Sequence, residues 1–203
     1  MRGVRLGFPI LLGYAPVGAA FGVVARDLGF TPLQAVACSA TALAGAGQFI
    51  ALAVMKAGGG LLTVVTATVV VNLRYVLFAA ALAPHVARVP LAGQSVLGFT
   101  LTDETFAVNI DDHRRGAADA YSMAGVGAVS WIGWVGGTVL GALAAGAIGD
   151  PESWGVQFAM PAMFTALLVA QAEDRRHVIV GALAAVLALG LMLVVPDRWY
   201  VIA

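Results

Sequence analysis

Seven long apolar stretches, separated by short charged segments, most constrain the fold of this chain of 203 residues. Each is close to the length that crosses the hydrocarbon layer of a membrane as a helix. Hydrophobic residues make up 61% of the chain and charged residues 11%, against about 25% charged in a soluble domain. We therefore predict an all-α integral membrane protein, a polytopic helix bundle with interrupted helices that forms one transmembrane domain over residues 1–203. The predicted spans are residues 6–25, 33–54, 60–83, 91–110, 119–148, 154–172 and 177–195.

The remaining composition argues against several classes of protein. The formal net charge is zero, so nothing favours nucleic acid as a partner. Cys38 is the only cysteine and lies in an apolar stretch, which argues against a disulfide or metal framework. The chain has no Walker-type phosphate loop, and we predict no cofactor. The apolar run after Arg2 and Arg5 is longer than a secretion-signal core, so we interpret it as the first span.

The fourth stretch, residues 91–110, is apolar but carries Asp103 and Glu104. A carboxylate in the hydrocarbon layer costs about 3 kcal/mol on insertion scales, so two adjacent ones predict an ion, proton or substrate pathway. The alternative is a loop or a half-buried surface helix whose acids face water. On one continuous helix, two neighbouring polar faces would form, one with Thr100, Asp103 and Glu104 and the other with Thr102, Thr105 and Asn109.

Other polar side chains interrupt the second and third stretches. Arg74 lies about ten residues from the end of its span, so it needs a partner, and Asp103 or Glu104 is the obvious candidate. Gln48 lies deep in the second stretch beside two glycines, where a hydrogen bond between helices is the alternative to a binding role. The predicted substrate- or ion-binding residues are Gln48, Asn72, Arg74, Thr100, Thr102, Asp103 and Glu104.

The basic residues predict the orientation. With seven crossings and a cytoplasmic N-terminus, seven of them lie inside and three outside, in agreement with the positive-inside rule. Without a crossing at residues 91–110 the best division is six to four, so the basic residues favour a crossing there. The inner set is Arg2, Arg5, Lys56, Arg114, Arg115, Arg175 and Arg176, and the outer set is Arg26, Arg88 and Arg198.

The first stretch and a faint internal similarity suggest how the bundle is built. Pro9, Pro16 and several glycines predict either a kinked or interrupted helix or close packing at Gly18 and Gly22. A shift of 120 residues aligns Gly13–Phe30 with Gly133–Asp150. This shift suggests parallel repeats over residues 1–84 and 119–203, joined by a linker helix at residues 91–110.

Four motifs together resemble the AzlC family of bacterial membrane proteins. They are GFPILLGYAPVGAAFG near the start, AGAGQF at Ala44–Phe49, NLRY at Asn72–Tyr75 and LTDETFA at Leu101–Ala107. The resemblance covers essentially the whole chain. It implies export of branched-chain amino acids across the bacterial plasma membrane, together with a small membrane subunit of the AzlD family.

The residues and the resemblance together favour a secondary transporter that moves a small hydrophobic amino acid outward on a proton or ion gradient. Gln48, Asn72 and Arg74 could meet the carboxylate of this substrate. Asp103 or Glu104 could meet its ammonium group or carry the coupling proton. A cation channel that uses the two acids is the alternative. An enzyme is not expected, because adjacent acids point about 100° apart on a helix. A subunit that only stabilises another protein would leave the polar stretch unexplained.

Overall fold

The computed structural model describes residues 1–148, 155, 158, 165, 169 and 175–194. Every regular element in these residues is helical, so the predicted all-α class is confirmed. Most of the predicted span at residues 154–172 lies outside the described residues. The helices are α1 (Arg2–Asp27), α2 (Pro32–Thr41), α3 (Gly45–Lys56), α4 (Leu61–Asn72), α5 (Arg74–Val86), α6 (Leu91–Phe99), α7 (Asp103–Arg114), α8 (Ala120–Ile148) and α9 (Arg175–Val194).

Local signals determine where these helices begin and end. Gly29, Gly58 and Gly116 follow the ends of α1, α3 and α7 with φ angles of 86°, 77° and 69°, a backbone conformation that glycine adopts without strain. Thr31 and Gln34 form a reciprocal capping box that starts α2. The chain can therefore turn sharply between short helices.

Three helices in the described part are long and apolar enough to cross a membrane. They are α1, the α4–α5 pair over Leu61–Val86, and α8 over Ala120–Ala147. α4 and α5 form one rod that is interrupted only at Leu73. The structure therefore supports fewer crossings in this part of the chain than the sequence predicts.

α1 and α8 pack side by side and run parallel. Residue numbers rise together along the contact, which pairs Gly3 with Ser122, Gly7 with Val126 and Gly22 with Thr138. A Cβ atom on Gly18, Gly22 or Gly141 would overlap backbone of the facing helix. Small residues thus let the two backbones approach closely, as the packing interpretation of the first stretch predicts. The predicted interruption is wrong, since α1 continues past Pro9 and Pro16, whereas the predicted kink stays a prediction.

The second stretch enters the bundle and returns to the side from which it came. The Lys56 amine at the end of α3 lies 3.3 Å from the carboxylate of Asp27 at the end of α1. Between these points, Ser39 reaches Thr138 near the middle of α8 with an oxygen–oxygen distance of 2.7 Å. α2 and α3 therefore form a re-entrant hairpin with its tip at residues 42–44. The prediction that residues 33–54 cross is wrong, because the chain reverses at this tip.

The fourth stretch forms a second hairpin that enters from the opposite end. His85 at the end of α5 stacks on His113 at the end of α7, with 4.2 Å between ring centroids. Asp112 forms an ion pair with Arg2, which places the end of α7 beside the start of α1. The tip at residues 100–102 separates α6 from α7. The predictions of one continuous helix and of a crossing at residues 91–110 are therefore wrong. Thr100 is separated from the face predicted for it with Asp103 and Glu104, whereas Thr105 and Asn109 do lie on one buried face of α7.

The two hairpins belong to a repeated unit of about 59 residues. Residues 1–56 form the first unit and residues 61–114 the second, each a long rod followed by a hairpin. Each helix end in the second unit follows its counterpart by 58 or 59 residues: Arg2 and Leu61, Asp27 and Val86, Pro32 and Leu91, Thr41 and Phe99, Gly45 and Asp103, Lys56 and Arg114. The units run in opposite directions, since α1 and the α4–α5 rod start at opposite ends of the molecule.

α8 starts 59 residues after Leu61 and is parallel to α1. The 120-residue shift in the sequence therefore corresponds to two units. This division differs from the predicted repeats 1–84 and 119–203, and much of the second of these lies outside the described residues.

The hairpins also change which basic residues share an end of the molecule. Lys56 lies at the same end of the molecule as Arg26, and Arg88 lies at the same end as Arg2. Among the described residues that flank the crossing helices and hairpins, the N-terminal end carries Arg2, Arg5, Arg88, Arg114 and Arg115, and the opposite end carries Arg26 and Lys56. The division predicted from seven crossings is corrected at Lys56 and Arg88.

Candidate functional site

The candidate site lies where the helices are broken, midway along the crossing rods. The tip at residues 100–102 contacts Tyr14 of α1 through Thr102, and Gly45, beside the tip at residues 42–44, faces Trp134 of α8. The residues on either side of the break at Leu73 contact the same two hairpins, Asn72 at Gly47 and Arg74 at Asp103. Non-helical backbone at this depth occurs in membrane proteins where it is buried in protein or lines a polar cavity. The geometry therefore matches that of a buried polar site between helix ends.

A closed ring of contacts surrounds this centre, and we call it the central ring. The Asn72 amide packs on Gly47, and Arg74, two residues further on, pairs with Asp103. Glu104, adjacent to Asp103, accepts a hydrogen bond from Tyr14, whose ring lies 5.5 Å from that of Trp134. The Trp134 ring in turn lies against Gly45. The ring thus joins both hairpin tips and the three long apolar rods of the described part of the chain.

Arg74 and Asp103 form the predicted ion pair. The Arg74 Nη1 to Asp103 Oδ2 distance is 2.9 Å, and the two side chains are 27% and 12% exposed. The guanidinium also lies 5.1 Å from the centroid of the Tyr75 ring, a cation–π contact. Because each charge neutralises the other, this pair adds no net charge to the centre.

Glu104 has a different environment from its neighbour. Among the described residues it makes no ion pair, and the hydroxyl of Tyr14 donates a hydrogen bond to its carboxylate. The same hydroxyl lies 2.8 Å from Thr102 Oγ1, from which it can accept. Tyr14 is 9% exposed. Sequence reasoning missed Tyr14, although a tyrosine in mid-span rather than at a membrane interface was a usable signal.

A capping box fixes the two acids at the start of α7. Thr102 Oγ1 accepts from the Thr105 amide at 3.3 Å, and Thr105 Oγ1 accepts from the Thr102 amide at 2.8 Å. Asp103 and Glu104 then occupy the first helical turn, where the helix dipole favours negative charge. The motif TDET therefore positions both carboxylates at the hairpin tip.

The remaining predicted residues differ in their surroundings. Gln48 is 5% exposed, and its Nε2 lies 3.6 Å from Cys38 Sγ, while its Oε1 has no partner among the residues that the structure describes. The Asn72 Oδ1 is likewise buried without a partner in the described part of the chain. Thr100 lies outside the central ring, where its hydroxyl bonds the Leu97 carbonyl at 3.2 Å and packs on Gly127.

At the N-terminal end, His85 and His113 form a stacked pair beside the Arg2–Asp112 ion pair. Burial lowers the pKa of His113, the neighbouring His85 lowers it further, and Asp112 raises it in part. The His113 Nε2 lies 3.3 Å from Met123 Sδ. No three metal-ligating side chains form a cluster among the residues that the structure describes.

In the described part of the chain, three apolar rods, two re-entrant hairpins and a polar centre define an integral membrane protein of the helical class. The sequence model of the family described as AzlC protein matches residues 9–148. The chain belongs to the AzlC family.

Several membrane proteins are similar to this chain. The inner membrane protein YgaZ of Escherichia coli K12 is 33% identical over 92% of this chain and 80% of its own length. An uncharacterized membrane protein of Archaeoglobus fulgidus is 32% identical over 86% of this chain and 76% of its own. The branched-chain amino acid transport protein AzlC of Bacillus subtilis is 24% identical over 83% and 66%. No solved structure matches this chain significantly.

Proposed function

We propose that this protein is a secondary transporter that exports branched-chain or similarly small hydrophobic amino acids on a proton or ion gradient. The observation that carries this proposal is the central ring at the broken helices. It combines carboxylate and guanidinium groups with the Asn72 amide oxygen, which has no partner in the described part of the chain. Broken helices of this kind form the substrate and ion sites of many transporters. The name of the Bacillus subtilis relative supports the substrate class.

The chemistry of the ring suits a zwitterion with an aliphatic side chain. Arg74 neutralises Asp103, so Glu104 supplies the net negative charge of the centre. Glu104 can therefore meet the substrate ammonium group or carry the coupling proton. Gln48 and Asn72 each have a buried amide oxygen to which no described residue donates a hydrogen bond. The predicted roles of these residues remain predictions.

The two hairpins favour a carrier over an open pore, because each separates the central ring from one end of the molecule. The buried residues of α7 are Thr105, Asn109 and Asp112, all polar and on one helix face. Those of α3 are mainly apolar or glycine. Polar contacts can be exchanged for water at low cost, so the α6–α7 hairpin is the one that we expect to move.

The second candidate is a cation-conducting pore, and the observation that favours it is the absence of an ion pair at Glu104 among the described residues. Saturable flux with counterflow supports the carrier, whereas linear flux with current supports the pore. An enzymatic role is not proposed, since Asp103 and Glu104 are directed to Arg74 and Tyr14 respectively.

We further propose that a small AzlD-like membrane subunit and the bacterial plasma membrane complete the assembly. In the most apolar segment of each rod, the share that is buried inside the protein is 6% for α4–α5, 39% for α1 and 56% for α8. Lipid and a partner subunit are the surroundings that such an apolar rod requires. The excess of basic residues at the N-terminal end supports a cytoplasmic location for that end.

Uptake of labelled leucine into proteoliposomes, measured as counterflow with and without a pH gradient, tests the proposed function. We expect Glu104→Gln to abolish transport while the protein still inserts. Asp111→Asn is the matched control, because Asp111 lies outside the ring in an exposed pair with Arg115. Full transport by Glu104→Gln would remove this carboxylate from the mechanism, and no transport of any aliphatic amino acid by the wild type would refute the function.

A further inference from the structure

A chain of hydroxyl groups connects Glu104 with the first turn of α7. Tyr14 donates a hydrogen bond to Glu104, and its hydroxyl oxygen lies 2.8 Å from Thr102 Oγ1. Thr102 Oγ1 lies in turn 3.3 Å from Thr105 Oγ1. Because a hydroxyl group both donates and accepts hydrogen bonds, it can take up a proton on one side and release its own on the other. The chain can therefore carry a proton between Glu104 and Thr105.

Polar side chains continue from there along one buried face of α7. Thr105, Asn109 and Asp112 are at most 6% exposed, and their spacing of four and three residues places them on one side of the helix. The Cβ atoms at such spacings are about 5–6 Å apart, a gap that a hydrogen-bonded side chain or one bridging water closes. At 1.5 Å per residue, the distance along the helix from Glu104 to Asp112 is about 12 Å. This face therefore extends from the central ring to the N-terminal end.

The polar face ends at a group that borders on the protein surface. Asp112 pairs with Arg2 through Oδ1, while its buried Oδ2 has no partner among the described residues. The Arg2 side chain is 48% exposed, and a groove of about 360 Å³ between α1 and α7 is lined by both Arg2 and Asp112. His113 and His85, stacked at the same end, are side chains that titrate near neutral pH. A proton that reaches Asp112 therefore has acceptors and solvent nearby.

The α2–α3 hairpin has no such face at the equivalent positions. These positions of α3, 58 residues earlier, are Gly47, Ala51 and Val54. Phe21 and Phe49 pack edge to face in this half of the molecule, with 5.7 Å between ring centroids. Apolar packing of this kind opposes the passage of a proton, because an unsolvated charge is costly there. Among the described residues, the polar connection of Glu104 therefore extends to the N-terminal end.

We propose that the buried polar face of α7 is a proton pathway, through which Glu104 exchanges its coupling proton with the N-terminal end of the molecule. This inference rests on the proposed function and specifies the proton as the coupling ion. The Glu104 carboxyl group transfers its proton to the Tyr14 oxygen, and Tyr14 transfers its own proton to Thr102. At each hydroxyl group one O–H bond forms and one breaks. One proton in total leaves Glu104, one arrives at the Asp112 carboxylate, and no electron is transferred.

Reconstitution of the full-length chain into liposomes tests the pathway with two measurements. The first is leucine counterflow at equal pH, in which labelled leucine exchanges for unlabelled leucine without net movement of protons. The second is the leucine-driven proton flux, measured with a pH-sensitive dye inside the vesicles. We expect Asn109→Leu to slow the proton flux about tenfold or more, as loss of one hydrogen-bonded link does, and to leave counterflow unchanged.

Two controls accompany Asn109→Leu. Asn109→Ser should retain the proton flux, because the serine hydroxyl still donates and accepts hydrogen bonds. Thr138→Val is the matched control on the other side of the central ring, since it also removes a buried polar group, the hydroxyl that bonds Ser39. We expect Thr138→Val to leave the ratio of proton flux to counterflow unchanged.

Asp112→Asn keeps the test decisive if Asn109→Leu folds poorly. Asparagine has nearly the shape of aspartate, but its amide does not take up the proton that a carboxylate accepts. We expect Asp112→Asn to slow the proton flux and to leave counterflow unchanged. Asp111→Asn, which removes an exposed carboxylate at the neighbouring position, should change neither measurement.

The outcomes separate this inference from the proposed function. If the wild type shows no counterflow of any aliphatic amino acid, the transporter is refuted and the pathway with it. If the wild type shows counterflow but no leucine-driven proton flux, the transporter stands and the pathway is refuted. The pathway is also refuted if Asn109→Leu and Asp112→Asn both keep the wild-type proton flux, or if every loss of flux is matched by an equal loss of counterflow. Selective loss of proton flux in one or both variants supports the inference.

Discussion

Arg74 and Asp103 are only partly exposed, and each is the charged partner of the other. Removal of one member of a buried pair leaves an uncompensated charge, which costs on the order of 3 kcal/mol. We therefore expect Arg74→Ala to destabilise the protein by about this amount, and the double variant with Asp103→Asn to recover most of the loss. Thermal unfolding of the purified variants in detergent measures both effects.

The control for the Arg74 prediction is Arg115→Ala, which removes an exposed pair with Asp111. Exposed ion pairs contribute about 0–1 kcal/mol, so this variant should unfold close to the wild type. If neutralising Asp103 did not restore the stability lost in Arg74→Ala, the ion pair would not be the reason that Arg74 stabilises the protein.

His113 gives the N-terminal end a dependence on pH. Its pKa is lowered below 6.5 by burial and by His85, so the unfolded chain binds a proton more readily than the folded one. The contribution of neutral His113 to the stability of the folded protein is complete above about pH 6.5. It is lost as the pH falls from there through the lowered pKa. We expect the melting temperature to fall between about pH 7.5 and about pH 5.5, and His113→Gln to reduce this change. An unaltered pH dependence in His113→Gln would assign the effect to other groups.

At the scale of elements, the α1–α8 contact depends on glycines that cannot gain a methyl group without moving backbone. We expect Gly22→Ala to lower the free energy of unfolding by roughly 1–3 kcal/mol, because its Cβ would meet the Thr138 carbonyl. Gly13→Ala on the same helix is the control, since nothing lies within 4 Å of its added Cβ. Equal melting temperatures for the two variants would show that the α1–α8 contact tolerates the added volume.

The hairpins show why the elements could be predicted from sequence only in part. α2 and α3 together have about the length of one membrane span, so their hydrophobicity does not distinguish a crossing from a return. Residues 42–44 contain no proline or glycine to signal the tip. Contacts far apart in sequence, such as Lys56 with Asp27, determine the path of the chain.

The centre was more predictable at the level of single residues. A charged group in an apolar stretch requires an opposite charge, which predicted Asp103 or Glu104 as the partner of Arg74. The structure shows that the partner is Asp103. The role of Tyr14 at Glu104 depends on how α1 packs against the α7 tip, and the N-terminal sequence alone gives no information on this packing. The difference between the two acids follows from these partners and could not be derived from their adjacent positions.

The arrangement of the whole molecule predicts which loops share a side of the membrane. In a background with Cys38→Ser, we expect cysteines introduced at Ala87 and Ala117 to react with impermeant reagent from the same side. A cysteine at Ala57 should react from the opposite side, because α3 returns to the end of α1. Labelling of intact cells and of inverted vesicles measures this, and reaction of Ala87 and Ala117 from opposite sides would contradict the second hairpin.

The opposite directions of the two helix–hairpin units have a consequence for how cargo could be released. The two units have the same order of helices and opposite orientations. A second state is therefore available if the units exchange conformations. If each unit adopted the form that the other has now, the two hairpins would exchange their packing, starting with the polar contacts of the α6–α7 hairpin. We expect the resulting conformer to face the other compartment, so that loading and unloading would be the same rearrangement seen from two sides of the bilayer.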